Sequence, residues 1–258
     1  MTKVVPDILA QIVEQKKRDL GRVTEQLERQ AEQASTYRRD FLAALTAARL
    51  SIIAEIKKAS PSRGILAADF DPRAIAVAYE RGGAAAISVL TDEPNFQGSL
   101  DHLQAARNAV RLPVLRKDFT IDRYHVIQAA ACGADAILLI AAILPERQLR
   151  DFRELAACYG MAALVEVHDE DELQAALASG ARIVGVNNRD LRTFHVDLGV
   201  SLRLAERFPS EVVRVTESGV RNPEDVRRLR AAGYQAFLVG EHLMKSGDPQ
   251  AALTALLS

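Results

Sequence analysis

The sequence of 258 residues contains no tryptophan, only two cysteines and almost no net charge. A formal charge of −1 at pH 7 gives no general attraction to nucleic acid or to an anionic membrane surface. Cys132 and Cys158 lie in apparent helices and form no CxxC or Cys/His spacing, which favours free thiols over a disulfide or a metal site. The composition therefore argues against nucleic-acid and membrane partners.

The sequence also lacks long apolar runs and the common cofactor motifs. No run reaches the length of a bilayer span, and the first residues contain no apolar signal-peptide core. The five histidines show no HxH or HxxxH pairing, no GxGxxG follows a predicted strand, and no P-loop is present. We therefore expect a cytoplasmic protein without a bound metal, dinucleotide or ATP.

Eight short apolar runs alternate with helical patterns from residue 51 onward. We predict strands at 51–57, 85–90, 113–117, 136–140, 161–167, 182–187, 212–217 and 236–240. Their starts are about 26 residues apart, which is the length of one strand–helix unit, and eight such units build a closed parallel barrel. The sequence thus predicts an α/β fold, a single (β/α)8 TIM barrel domain over residues 1–258.

Helix boundaries are marked by capping residues. Asn222 before Pro223 is a typical helix start, and Gly233 is a typical end. Asp169 with Glu172 resembles a capping box. Residues 1–48 differ from the repeats: we interpret 6–33 and 38–48 as two amphipathic helices, a helical N-terminal extension packed on the barrel. Its basic cluster 16–18 is interpreted as a solvated helix face.

Ionisable side chains recur at the carboxyl ends of the predicted strands, where barrel enzymes place their active sites. Glu55 and Lys57 share one face of the first strand, and buried charges of this kind are costly unless they are paired or used. The polar residues at the strand ends, with the loop residue Ser60, are Glu55, Lys57, Ser60, Lys117, Glu166, Asn187, Arg189, Glu217, Ser218 and Glu241. Because parallel strands end at the same edge, the sequence predicts one active site there.

The types of these residues indicate acid–base chemistry on a small phosphorylated molecule. Two lysines and three glutamates suit proton transfer around a carbonyl or an alcohol. Loops after the last two strands of a barrel commonly bind phosphate through backbone N–H groups, and Gly219 and Gly240 suit that role, with Lys57 as a cation. We expect Glu241 to contribute its N–H and to turn its carboxylate away. Phe96 and Phe119 are positioned to contact an aromatic ring.

These segments resemble the indole-3-glycerol-phosphate synthase family over essentially the whole chain. The matching segments are 53–62, 88–99, 115–119, 164–167, 185–191, 217–219 and 238–241. The first segment, IAEIKKASPS, is specific to the family, whereas the glycine-containing endings occur in many phosphate-binding barrels. The resemblance implies a (β/α)8 barrel whose N-terminal extension helps to close the active site.

The resemblance also implies a reaction and roles for the residues. The reaction converts 1-(2-carboxyphenylamino)-1-deoxyribulose 5-phosphate into indole-3-glycerol phosphate, with loss of CO2 and water and without a cofactor. Lys117 would protonate the ketone oxygen, Glu166 would act in the dehydration, and Lys57, paired with Glu55, would contact a substrate carboxylate or phosphate. The division of work between the two lysines stays open.

The remaining matched residues would bind substrate, and the protein would be a monomer or a weak homodimer. The residues expected to orient the substrate or contact its ring are Asn187, Arg189, Glu217, Ser218, Ser60, Phe96 and Phe119, and those expected to bind phosphate are Lys57, Gly219, Gly240 and Glu241. The first helix contains no tryptophan, so Ile8 or Leu9 could take the place of an aromatic side chain against the substrate ring.

Three other interpretations of the sequence remain open. One is a Schiff-base aldolase-like barrel in which Lys117 or Lys57 attacks a sugar-phosphate carbonyl. Another is a barrel that binds a phosphate sugar without turning it over. The third is a phosphoribosylanthranilate isomerase, a typically shorter barrel that uses a cysteine and an aspartate; no cysteine stands at the end of the first strand here.

Overall fold

The structure is a computed structural model that describes residues 7–61, 64–67 and 69–258. Eight parallel strands close into a barrel in the order β1-β10-β9-β8-β7-β6-β5-β4. The barrel strands are β1 (Ser51–Ile56), β4 (Ala86–Leu90), β5 (Val114–Lys117), β6 (Ala136–Ile140), β7 (Ala162–Val167), β8 (Ile183–Asn187), β9 (Val213–Glu217) and β10 (Ala236–Val239). Each boundary lies within one residue of its predicted position, and the TIM barrel prediction is confirmed.

The two faces of each strand pack in two separate apolar cores. Ile53 of β1 joins an interior cluster with Leu115 and Leu238, whereas Ile52 and Ile56 face the surrounding helices. This alternation is expected because successive side chains of a strand point to opposite sides. At the carboxyl end of the barrel, the interior positions change from apolar to ionisable residues.

Helices surround the barrel, and a small hairpin of β2 (Ala59–Ser60) and β3 (Gly64–Ile65) follows β1. The helices after β1 are α4 (Pro72–Arg81), α5 (Glu93–Phe96), α6 (Leu100–Ala109), α7 (Arg123–Ala131), α8 (Glu146–Cys158), α9 (Glu170–Ala178), α10 (Gly199–Leu204), a 3-10 turn at Ala205–Arg207, α11 (Pro223–Ala231), α12 (Glu241–Met244) and α13 (Pro249–Leu257). Asn222 caps α11 by accepting a hydrogen bond from the Asp225 N–H, as the sequence predicted. Within the described residues, no helix is long and apolar enough to cross a membrane.

The N-terminal extension is helical, but the prediction of two helices is wrong. It forms three: α1 (Asp7–Arg18), α2 (Glu25–Ser35) and α3 (Phe41–Thr46). The predicted helix over 6–33 is interrupted because Thr24 accepts a hydrogen bond from the Leu27 N–H and starts a new helix. Gly21 lies in the break, so close to the ring of Tyr124 that no side chain would fit there. Residues 1–6 lie outside the described part of the chain.

The extension reaches both ends of the barrel. α3 lies at the amino-terminal end, where Phe41 and Leu45 are fully buried in the interior cluster. α1 lies at the opposite end, beside the predicted active site, where Ile8 and Leu9 contribute to the wall of a cavity. The extension thus closes one end of the barrel and covers part of the other.

The interpretation of the basic cluster 16–18 as a solvated face is wrong for Lys16. Its ammonium lies 2.9 Å from Asp92 Oδ1 and 2.6 Å from Asp118 Oδ1, two buried carboxylates at the ends of β4 and β5. Lys17 pairs with a neighbour on α1, Glu14, and both side chains are exposed. The helix periodicity shows which side of α1 is polar, but only the packing of α1 on the barrel shows which lysine meets the aspartates.

Candidate active site

A cavity of about 590 Å³ opens at the carboxyl end of the barrel. Every residue that the sequence predicts for the site lines it, namely Glu55, Lys57, Ser60, Phe96, Lys117, Phe119, Glu166, Asn187, Arg189, Glu217, Ser218, Gly219, Gly240 and Glu241. They come from seven barrel strands or the loops that follow them, because parallel strands all end at this edge. The roles of these residues stay predictions; their proximity is a finding.

Lys117 stands at the centre of the ionisable groups. Its ammonium donates a hydrogen bond of 2.9 Å to Glu166 Oε2 and lies 3.5 Å from Glu217 Oε2. The three residues lie at the carboxyl ends of β5, β7 and β9, so their side chains meet in the barrel interior. All three side chains are at least 85% buried, which strengthens their mutual electrostatic effect.

The pKa values of these groups move in directions that follow from burial and neighbouring charge. Burial alone would lower the pKa of Lys117, but the carboxylates of Glu166, Glu217 and Glu55 outweigh it and raise that pKa. Burial would raise the pKa of Glu166, but the charges of Lys117 and His168 and the hydrogen bond from Lys117 lower it. Burial raises the pKa of Glu217, and repulsion from the carboxylates of Glu166 and Glu55 adds to the increase.

A second ion pair lies beside this cluster on β1 and the residue that follows it. Lys57 Nζ donates to Glu55 Oε1 at 2.5 Å, and both side chains are mostly buried. With Glu166 and Glu217, the site therefore holds three carboxylates and two ammonium groups. One of these three carboxylates then has no lysine of its own, and burial together with the neighbouring carboxylates raises the pKa of Glu217.

Two glycines make room for these carboxylates. A Cβ at Gly185 of β8 would overlap Glu217 Oε1, and a Cβ at Gly240 would overlap Glu55 Oε1. The sequence suggested Gly240 as a backbone donor to phosphate and gave Gly185 no separate role. The structure adds a steric reason for a glycine at both positions, since each lies beside a glutamate of the neighbouring strand.

Polar contacts orient the loops after β8 and β10. Arg189 donates through its backbone N–H to Asn187 Oδ1, and its guanidinium donates to the Phe194 carbonyl at 3.2 Å. The other end of that guanidinium lies 3.5 Å from Glu241 Oε2, and Lys245 donates to Glu241 Oε1 at 2.8 Å. The Glu241 carboxylate is thus engaged by two cations.

The loop after β9 adopts an unusual backbone. Ser218 has φ of +65°, a left-handed conformation that is uncommon for a residue with a side chain. Gly219 follows it, and both residues line the cavity. Such conformations concentrate at functional sites, where surrounding structure compensates for the local strain.

One wall of the cavity is apolar. The rings of Phe96 and Phe119 lie 6.2 Å apart between centroids, and Ile8, Leu9 and Ile12 of α1 add aliphatic surface. A flat aromatic group would fit against such a wall, with charged groups at the other side. Ile8 and Leu9 both line this cavity, and their contact with a substrate ring stays a prediction.

Several lining residues were not predicted from the sequence. The loop after β8 contributes Leu191, Phe194 and Val196, and the last two strand ends contribute Arg221 and Lys245. The apolar side chains of this loop stand in an otherwise polar segment, and that pattern could have indicated that they line the cavity. Arg221 and Lys245 lie beyond the strand ends, where only the course of the loops decides whether a side chain turns inward.

Comparison with known proteins agrees with this geometry. A family model described as indole-3-glycerol phosphate synthase matches residues 1–256. A protein of that name from Koribacter versatilis is 53% identical over 210 residues, covering 81% of each chain. Another from Polaromonas sp. is 46% identical over 258 residues, covering 97% of this chain and 98% of the relative.

Solved structures with the same fold are more distant in sequence. A chain of the tryptophan synthase α2β2 complex of Pyrococcus furiosus aligns with a TM-score of 0.59 at 17% identity, covering 80% of this chain and 97% of that one. Thiamine phosphate pyrophosphorylase from the same organism aligns with a TM-score of 0.61 at 18% identity, covering 81% and 94%. These two similarities concern the barrel alone, whereas the family match spans nearly the whole chain: this protein belongs to the indole-3-glycerol phosphate synthase family.

Proposed function

We propose that Lys117, Glu166, Lys57 and Glu55 are the catalytic groups of this family's reaction in the present chain. The protein is a decarboxylating carbon–carbon lyase of tryptophan biosynthesis, as its family membership implies. The substrate, 1-(2-carboxyphenylamino)-1-deoxyribulose 5-phosphate, has an aromatic ring with a carboxylate at one end and a phosphate at the other. The observation that supports the assignment best is the position of Lys117 between two buried carboxylates.

The substrate lies with its ring against the apolar wall and its phosphate at the loops after β9 and β10. Phe96, Phe119 and Leu9 contact the ring, and the ammonium of Lys57 faces the ring carboxylate. Backbone N–H groups of Gly219, Gly240 and Glu241 bind the phosphate. Because Arg189 and Lys245 already engage the Glu241 carboxylate, its negative charge is partly compensated near the anionic ligand.

The polar residues between the ring site and the phosphate site orient the hydroxyl groups of the substrate. Asn187, Arg189, Glu217, Ser218 and Ser60 all line the cavity in that region. Glu217 is suited to donate a hydrogen bond, since its raised pKa favours the neutral carboxylic acid. A neutral acid also avoids repulsion between this residue and the substrate's own negative charges.

Ring closure is the first chemical step. The ring carbon that bears the carboxylate forms a bond to the ketone carbon, and the ketone oxygen takes a proton from Lys117 to become a hydroxyl group. Closure interrupts aromaticity, so an acid at the oxygen and a cation near the carboxylate both lower the barrier. Breaking the bond to the carboxylate then releases CO2, and its electron pair restores the aromatic ring.

Dehydration completes the indole. The hydroxyl group leaves as water with a proton from an ammonium group, and Glu166 removes a proton from the former methylene carbon beside the nitrogen. The lowered pKa of Glu166 keeps this carboxylate ionised and ready to accept that proton. Either Lys57 or the reprotonated Lys117 can serve as the acid, and Glu55 orients Lys57 for that task.

Indole fluorescence tests this function directly. The chain has no tryptophan, so the purified protein gives little background when it is mixed with the substrate. We expect emission to rise with the wild-type protein and not with Lys117→Ala, while Lys17→Ala, a change of an exposed lysine, leaves the rate unchanged. Removal of one general acid typically costs about 100-fold or more in rate.

The rival functions give different results in the same experiment. Substrate binding measured by calorimetry without any rise in emission would indicate a barrel that only binds. An adduct trapped by borohydride on Lys117 or Lys57 would indicate Schiff-base chemistry instead. Near-normal kcat in Lys117→Ala would contradict the role of that residue.

We also propose that residues 1–258 form one domain that acts in the cytoplasm as a monomer or a weak homodimer. Its partner is then the small phosphorylated substrate, without a nucleic acid or a membrane. The absence of a strong net charge and the fit between the extension and the barrel support this arrangement. Light scattering of the purified protein across a tenfold concentration range tests the oligomeric state; a stable tetramer would contradict it.

A further inference from the structure

His168 is an ionisable residue next to the proposed catalytic groups that the mechanism above does not use. It follows the end of β7, two residues after Glu166, so the two side chains leave the chain on the same side. Its Nε2 atom lies 3.5 Å from Glu166 Oε1 and is buried. Within the part of the chain that the structure describes, Nε2 has no hydrogen-bond partner.

The other ring nitrogen of His168 is held by Glu172. Nδ1 lies 3.0 Å from Glu172 Oε2, and the same oxygen accepts the backbone N–H of His168 at 2.8 Å. Glu172 is itself fixed, because it lies in the first turn of α9 and donates its N–H to Asp169 Oδ1. A hydrogen bond from Nδ1 to Glu172 fixes the ring orientation and leaves Nε2 directed at Glu166.

Asp169 caps α9 as the sequence suggested, because its Oδ1 atom accepts the Glu172 N–H. In a capping box the glutamate side chain returns to the N–H of the capping residue, here Asp169. The Glu172 carboxylate also accepts from the backbone N–H and from the ring of His168, the residue before Asp169. The acid at this position therefore connects the start of α9 to the active site.

The charges around His168 come from four neighbouring segments. Glu166 belongs to β7, Glu172 to α9, Glu217 to β9, and Asp190 to the loop after β8. Burial lowers the pKa of His168, but its hydrogen bond to Glu172 and the charges of Glu166, Glu172 and Glu217 outweigh burial and raise it. Lys117 lies on the other side of Glu166, bonded to its Oε2 atom.

We propose that His168, oriented by Glu172, is a positioning residue that holds the Glu166 carboxylate in place, ionised, for the dehydration step. This inference rests on the proposed role of Glu166. In the resting site Lys117 holds one oxygen of Glu166, but Lys117 gives its proton to the ketone oxygen during ring closure. Until Lys117 is reprotonated, it carries no positive charge to support Glu166, and the imidazolium of His168 is the cation that stays beside that carboxylate throughout.

The inference predicts which step depends on His168. Ring closure and CO2 release need Lys117 and are expected to proceed in His168→Asn. Indole formation needs an ionised Glu166, so the decarboxylated intermediate should accumulate in that variant. Removing the cation raises the pKa of Glu166, so the acid limb of the rate of indole formation should move to higher pH, by about one unit.

The experiment follows CO2 release and indole formation in single turnovers between pH 3 and pH 9, because the lowered pKa of Glu166 places the acid limb at low pH. His195→Asn, which changes an exposed histidine, is the matched control and should behave as the wild type. An unchanged acid limb and no accumulated intermediate in His168→Asn would overturn the inference. Retained indole formation in Glu166→Gln would instead contradict the proposed role of Glu166, so the two failures are distinguishable.

A second measurement does not depend on the folding of the His168 variant. Titration of the ring of His168 by NMR in histidine-labelled protein can be compared between the wild type and Glu166→Gln. Loss of the neighbouring negative charge should lower the pKa of His168. An unchanged pKa would show that the two groups are not coupled and would overturn the inference.

Discussion

At the scale of single residues, the active site depends on close approaches between strands as much as on the reactive groups. Glu55 and Glu217 fit in the barrel interior because their neighbours on the adjacent strands are glycines. A barrel interior is normally filled by branched apolar side chains, so a glycine there leaves space that another side chain must fill. Here the space is occupied by carboxylates.

Gly185→Ala tests this relation at one residue. The added methyl group would overlap Glu217 Oε1, so the carboxylate must shift from its present position beside Lys117. A displacement of about 1 Å in a preorganised site can lower the rate on the order of 100-fold, and we expect kcat to fall accordingly. The measurement is steady-state kinetics by indole fluorescence.

A double-mutant comparison tests whether the fall in kcat after Gly185→Ala results from displacement of Glu217. In a Glu217→Ala background the space beside residue 185 is open, so adding Gly185→Ala should lower kcat little further. Equal effects of Gly185→Ala in both backgrounds would mean that the methyl group acts elsewhere.

At the scale of secondary-structure elements, α1 is fixed to the barrel by charge near its carboxyl-terminal end, in addition to its buried side chains Leu9 and Ile12. Lys16 lies between Asp92 and Asp118, and Asp118 also accepts hydrogen bonds from Arg116 and Thr91. Burial would raise the pKa of Asp118, but Arg116 and Lys16 outweigh it and lower the pKa well below its usual range. The carboxylate is therefore ionised, and it needs a cation beside it.

Lys16→Met should weaken the attachment of α1 to the barrel while it keeps most of the aliphatic part of the side chain. Breaking a buried ion pair leaves uncompensated charge, so we expect the free energy of unfolding in urea to fall on the order of 3 kcal/mol. KM should also rise, because α1 lines the cavity. Lys17→Met is the matched control, since an exposed pair contributes less than about 1 kcal/mol. Equal stability of the two variants would contradict the anchoring role of Lys16.

At the scale of the whole molecule, the barrel interior combines an apolar lower part with an ionisable upper part. The upper part holds Glu55, Glu166, Glu217, Lys57 and Lys117. Three carboxylates and two ammonium groups cannot all be paired one to one, and burial makes the remaining charge costly. Retention of a proton by Glu217 relieves this excess.

The stability of the free enzyme should therefore depend on pH. A glutamate with a raised pKa keeps its proton in the folded state at pH values where the unfolded chain has already released it. The free energy of unfolding then falls as pH rises from the ordinary glutamate range through the raised pKa, with a slope of up to about 1.4 kcal/mol per pH unit. Glu217→Gln, which keeps the shape without the titration, should lose this slope in urea unfolding between pH 5 and pH 9. If the wild type and Glu217→Gln lost stability equally with rising pH, a group other than Glu217 would be the one that holds the proton.

The sequence by itself determined the parts of this protein that depend on local pattern. Apolar runs of strand length defined all eight strands within one residue, and their ends located every predicted site residue on one cavity. This works because strand periodicity and the common edge of a parallel sheet follow from the backbone alone. The resemblance of the motifs then indicated the reaction.

Only the tertiary structure decided the contacts between residues far apart in the chain. The pairing of Lys16 with two barrel aspartates and the space that Gly185 leaves for Glu217 each depend on how separate elements pack. Gly21, in the break between α1 and α2, likewise lies against a side chain of α7, Tyr124. Sequence periodicity assigns a residue to a face, whereas the partner it meets there is set by the packing of the whole barrel.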